Sequence, residues 1–298
     1  MSYFPTSTLS ESSKVQFTAK LAIWLELLGH KDIKKLLRNP EEAIDALEKA
    51  PTIKHSPANH HLFISSVVAV LKHEKPKGTT IKERKELLER WLVLQKDNSK
   101  PLREHYLEEK PTELQASKAI NWGDVLAARD ALPMGMERLL LGFYTHLNPV
   151  RADFFETEIV PANSMPTSKN YVLMDSVAKL VLTDFKTKHT YEKIEQVLPA
   201  ILRSELEESV RSHPRSYLFT RPESPKDPFD RRQFSGWACR VLTRVFGRPM
   251  TLTVLRHAFI TDLQTKGLNL KERDTIAKSM GHTLSMQQGY AWNNVVSE

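Results

Sequence analysis

The stretch Thr253-Val-Leu-Arg256-His257-Ala-Phe-Ile-Thr261, then Met280-Gly281-His282, then Gln287-Gln-Gly-Tyr290-Ala-Trp292 decides how this chain is read. Its apolar residues recur at helical spacing, which predicts helices over 252–263, 271–280 and 285–292. An arginine binds phosphate through two parallel hydrogen bonds. A nearby histidine donates a further one. A tyrosine hydroxyl can attack phosphorus and form a covalent phosphotyrosine. Arginine, histidine and tyrosine are the groups that a metal-free phosphoryl-transfer site needs.

Two more stretches join this one when the chain is followed toward its start. Leu139-Leu-Leu-Gly-Phe-Tyr-Thr145-His-Leu-Asn-Pro-Val-Arg151 is an apolar helix that ends in a polar turn and an arginine. Asp184-Phe-Lys186-Thr187-Lys188 is a basic turn between short runs rich in Val, Ile, Leu and Tyr. Those runs, 171–174, 180–185 and 191–198, predict a small antiparallel three-stranded sheet. Helices are expected around them over 122–132, 136–147, 200–210 and 234–246.

The first third of the chain reads as helices alone. Val15, Phe17, Leu21, Ile23, Trp24, Leu27 and Leu28 recur at helical spacing, and Gly29 is placed to stop that helix. Asn39-Pro40-Glu41-Glu42 and Ser56-Pro57 are helix starts, with a cap residue and Pro at the first helical position. A long helix is expected over 80–98. From Asn98 to Ala119 the chain turns polar and carries Pro101 and Pro111, which marks a connection. The expected fold class is mainly α. A helical domain spans 1–105, a linker 106–120, and a mixed, mostly helical domain with the small sheet 121–298.

The 298 residues hold 40% hydrophobic and 27% charged side chains, a globular composition with room for two cores. No apolar run approaches the ~20 residues that span a bilayer, and residues 1–13 show no basic-then-apolar leader pattern, so no membrane is expected. One cysteine, Cys239, excludes an internal disulfide and an all-cysteine metal cage. It reads as a buried structural thiol in a reducing intracellular compartment, cytoplasm or nucleus. Lys and Arg number 43 against 36 Asp and Glu, and the net charge of +7 makes nucleic acid the first partner to expect. His55, His60, His61 and His73 lack cysteine or paired carboxylates at ligand spacing and read as solvated or capping residues. Glu205, Glu207 and Glu208 read as a solvated face. Arg231-Arg232 and Lys77–Lys85 fit either solvated faces or DNA phosphate contacts.

Leu255-Arg256-His257-Ala258-Phe259, Met280-Gly281-His282 and Tyr290 eight residues on resemble the C-terminal signature of the tyrosine recombinases. Asn-Pro-Val-Arg-Ala-Asp at 148–153 and Gln-Gln-Gly-Tyr at 287–290 look most like recombinases of large DNA viruses and eukaryotic mobile elements. The resemblance implies that the first domain is the core-binding DNA clamp and the second the catalytic domain. It implies catalytic roles for Arg151, Lys186, Arg256, His282 and Tyr290, with Lys188 as the alternative lysine. His257, after the second arginine, is implied to be structural, and Trp292 a packing anchor for the tyrosine. Two departures stand out. The family's usual histidine three residues before the second arginine is here Thr253, and the acidic residue after the first arginine, Asp153, follows at +2 rather than +3.

The implied activity is site-specific recombination through a 3′-phosphotyrosine, without cofactor or metal. The implied partner is double-stranded DNA, held by four copies of the chain that are dimers or monomers when free. Two other readings stay open: a type IB topoisomerase, which shares the five roles, and a recombinase-derived DNA-binding protein that no longer cleaves.

Overall fold

The computed structural model describes residues 3–107 and 116–292. The chain divides into two compact units, Met1–Glu108 and Glu109–Glu298. Most of the expected linker, residues 108–115, lies outside the described residues.

The first unit is helical: α1 (Glu11–Leu27), α2 (Ile33–Arg38), α3 (Pro40–Lys49), α4 (Pro57–His73) and α5 (Ile81–Leu107). Its helix ends follow local chemistry. Ser10 and Ser56 cap α1 and α4 through their side chains, and Gly29 takes φ +63° just past α1. Asn39 precedes α3 without making the expected side-chain cap bond. Trp24, Trp91 and Phe63 meet edge to face in the core, and both indoles donate to main-chain carbonyls, of Phe63 and Leu37. The helix expected to stop near residue 98 runs through Pro101 to Leu107. A proline removes one helical hydrogen bond, a cost this long helix tolerates.

The second unit starts with α6 (Trp122–Ala131) and α7 (Met136–Thr145). A sheet follows: β1 (Thr157–Pro161), β2 (Asn170–Met174), β3 (Lys179–Leu182) and β4 (Ile194–Val197), with the four-residue α8 (Lys188–Tyr191) between the last two. The three expected strands pair antiparallel in the expected order. The sheet nevertheless has four strands rather than three, because β1 adds in parallel beside β2. Parallel neighbours usually need a dozen or more connecting residues. Here a short loop suffices because one oxygen of Glu158 accepts from the backbone of Thr167 and Ser168 and from the Thr167 hydroxyl. The expected strand over 191–198 is shorter, since Tyr191 ends α8.

Beyond the sheet lie α9 (Ala200–Ser212), a two-stranded ladder of β5 (Thr220–Arg221) and β6 (Ser224–Pro228), α10 (Arg231–Phe246), α11 (Leu252–Gln264), α12 (Leu270–Ser279) and α13 (Leu284–Gln288). One apolar core runs from Leu139–Tyr144 through Val172, Leu180 and Leu182 to Leu255 and Ile260. Glu205 is buried, not solvated, and pairs with Arg138 at 2.8 Å. Cys239 is half-buried rather than fully buried. No helix among the described residues is long and apolar enough to cross a membrane.

Candidate active site

Helix α11 is apolar on most of its surface and therefore sinks into the core, taking Arg256 and His257 with it. Arg256 is only 1% exposed. A buried guanidinium is costly unless its donors are used. One terminal nitrogen donates to the Pro149 carbonyl at 3.1 Å, the other contacts the His282 ring, and the buried Nε finds no partner among the described residues. Burial first, and the charge of Arg151 second, push this guanidinium down to about 10. The cation is strongly held but undercompensated, which is the electrostatics of a site awaiting an anion.

His282 follows Gly281, whose φ of +69° turns the chain after α12. The ring is buried, and burial together with Arg256 and Arg151 lowers its pKa to about 2. It is therefore neutral: one nitrogen accepts from Arg256, and the other carries a hydrogen to donate. Its face stacks on Tyr290, with centroids 4.9 Å apart and planes 26° apart. Tyr290 is half-buried and sits in the turn after α13, not inside a helix as expected. The Arg256 guanidinium carbon lies 5.6 Å from the Tyr290 ring centre.

Arg151 is half-buried, and its charge acts on both Arg256 and His282. Its main chain is fixed on two sides. The buried Tyr144 hydroxyl donates to its carbonyl at 2.5 Å, and its N–H donates to Asp153 at 3.2 Å. The Asp153 carboxylate is paired with Arg231 at 2.7 Å, so the Arg151 guanidinium is left without a side-chain partner among the described residues. Arg231 thus serves the interior of the unit, and its guanidinium also lies over Phe155.

Lys186 lies in the turn between β3 and β4, exposed, with no partner among the described residues. Lys188 is held by Asp184 at 2.5 Å. The turn is docked onto the site, because the Thr187 hydroxyl donates to the Gly281 carbonyl at 3.0 Å, one residue before His282. Arg256, His282 and Tyr290 are thus in direct contact, Arg151 is within electrostatic reach, and the turn bearing Lys186 is hydrogen-bonded beside them. Thr253 is exposed in the first turn of α11.

No protein-family model matches this chain, and no curated protein matches it. Among solved structures it is similar to the crystal structure of a XerA recombinase, at 13% sequence identity and a TM-score of 0.39, over 96% of this chain and 89% of that one.

Several supporting residues had no distinctive sequence signal. Gln196 of β4 accepts from Asn148 N–H and donates to the carbonyls of Asn148 and Ser279, while the Asn148 amide donates to the Ser279 hydroxyl. This network ties the segment before Arg151 to the end of α12, just ahead of Gly281 and His282. In the first unit, His55 and His60 approach each other at 3.3 Å, but no group of three His, Cys, Asp or Glu side chains among the described residues could hold a metal ion.

Proposed function

We propose that this chain is a tyrosine recombinase that cuts and rejoins duplex DNA. Arg151 and Arg256 hold the non-bridging oxygens of one phosphodiester, and the neutral His282 donates a further hydrogen bond. The Tyr290 oxygen attacks phosphorus as its proton passes to solvent. The bond to the 5′ oxygen breaks, and Lys186 gives that oxygen a proton. The products are a 3′-phosphotyrosine and a free 5′-hydroxyl. Because the phosphotyrosine preserves the bond, rejoining is the reverse reaction and needs no nucleotide. Phosphate contacts from the basic surface supply the general affinity for DNA. Four copies exchange strands two at a time, and the helical first unit belongs to the DNA clamp.

The observation that supports this reading best is the stack of a half-buried phenol on a buried, neutral imidazole that is itself bonded to an undercompensated arginine. The exposed Thr253 favours a second reading, a DNA-binding protein derived from such an enzyme that has lost cleavage. One experiment separates them. A nicked duplex, whose short 5′ fragment diffuses away after cleavage, should trap the wild-type chain covalently. Tyr290→Phe should bind the duplex and trap nothing. Binding without trapping by the wild type supports the second reading, and an adduct on Tyr290→Phe means another nucleophile. Relaxation of a supercoiled plasmid by a monomer would instead identify the topoisomerase reaction.

A further inference from the structure

Tyr290 lies outside any helix, so its placement depends on what holds the turn around it. Two groups on α11 do so. His257 and Thr261 are four residues apart and therefore share one face of that helix. His257 Nδ1 meets the Tyr290 carbonyl at 2.7 Å, and the Thr261 hydroxyl accepts from the Trp292 N–H at 3.0 Å. Between these two bonds Ala291 is buried. The His257 ring is flanked by Trp292, with centroids 4.0 Å apart and planes 17° apart, and by Tyr290 at 4.7 Å. Tyr290 also stacks on His282, so four rings are in successive contact. Arg256 is the residue next to His257, so the helix that presents the phosphate-binding guanidinium also grips the main chain of the phenol.

We infer that His257 and Thr261 are a positioning clamp that seats residues 290–292 beside Arg256 and so fixes the Tyr290 phenol for attack. This rests on the proposed cleavage reaction. A carbonyl needs a donor, and the Nδ1–H of a neutral imidazole supplies one at fixed geometry. A misplacement of about 1 Å in a reacting group is enough to cost about 10²-fold in rate. The clamp is therefore a device for orientation and takes no part in bond making.

Two His257 substitutions separate its functions. His257→Phe keeps a ring for the stack and loses the donor, whereas His257→Asn keeps a donor near the Nδ1 position and loses the ring. Single-turnover cleavage of the nicked duplex should fall about 10²-fold in His257→Phe with an unchanged dissociation constant for DNA, and His257→Asn should recover most of that loss. An undiminished rate in His257→Phe overturns the clamp. If the wild type forms no adduct at all, the cleavage reading fails by itself. Amide exchange then tests the seat directly. Thr261→Val should speed exchange at Trp292 about tenfold, as expected for losing one hydrogen bond, and unchanged exchange overturns the proposal.

Discussion

Arg256 and Lys186 are given the same charge and neighbouring tasks, yet they are held in opposite ways. Arg256 is sunk in a core helix, tied to a carbonyl and an imidazole, and shifted downward by burial. Lys186 stands exposed on a turn, while its neighbour Lys188 is paired with Asp184. The contrast fits the chemistry assigned to each. Charge that must be stabilised in the transition state is best met by donors fixed beforehand. A proton donor needs only to reach the leaving oxygen.

If that contrast is real, the buried arginine should tolerate the least change. Arg256→Lys keeps a charge but loses the planar fork, leaving the Pro149 carbonyl and His282 to share one ammonium. Covalent trapping should slow by about 10²–10³-fold, measured on the nicked duplex. A rate near that of the wild type would mean that position 256 serves only packing. The exposed lysine should show a smaller loss that substrate chemistry can reverse. Lys186→Ala should cut more slowly by about 10²-fold, and a substrate with sulfur in place of the leaving 5′ oxygen should recover the rate, because a thiolate leaves without a proton. Lys188→Ala should stay near wild type on both substrates. If the two lysines behave the other way round, the proton donor has been assigned to the wrong side of Thr187.

The smallest effect concerns pH. His257 is held near 4 and His282 near 2, chiefly by burial, against an ordinary value of 6.5. Below about 6.5 the unfolded chain takes up protons that the folded chain refuses, so stability falls as pH drops toward 4, with a slope of at most about 1.4 kcal/mol per pH unit for each ring. Thermal unfolding from about pH 7 to about pH 5 should show a larger drop for the wild type than for His257→Asn, which lacks one of the two rings. Equal drops would show that the imidazole at 257 is not sheltered.

How much of this was visible in the sequence depends on the range of the interaction. Helix α11 announces itself through local spacing, and so do the helices around Trp24, Phe63 and Leu139–Tyr144. Each buries a face that the 3.6-residue period reveals. The clustering of Arg256, His282 and Tyr290 is what the motif resemblance implies. The parallel strand β1 was not, because the carboxylate of Glu158 that folds its loop acts on residues nine and ten positions away. The pairing of Asp153 with Arg231 spans 78 positions, and nothing in either neighbourhood marks it. The sequence predicts helix through Trp292, whereas α13 ends at Gln288 and the bonds that hold the turn around Tyr290 come from another helix.

The bond from Thr187 to the Gly281 carbonyl has a consequence for timing. A side chain added at Gly281 would lie 3.0 Å from that hydroxyl and 3.3 Å from Ile194, so the hairpin and the glycine turn fit each other only as they stand. The strand-exchange reaction proposed here asks two tasks of this corner: steadying the phosphate and releasing the alcohol. The Thr187 bond and the Gln196 bonds to Asn148 and Ser279 hang both tasks on one hairpin, so lifting that hairpin would disarm them together.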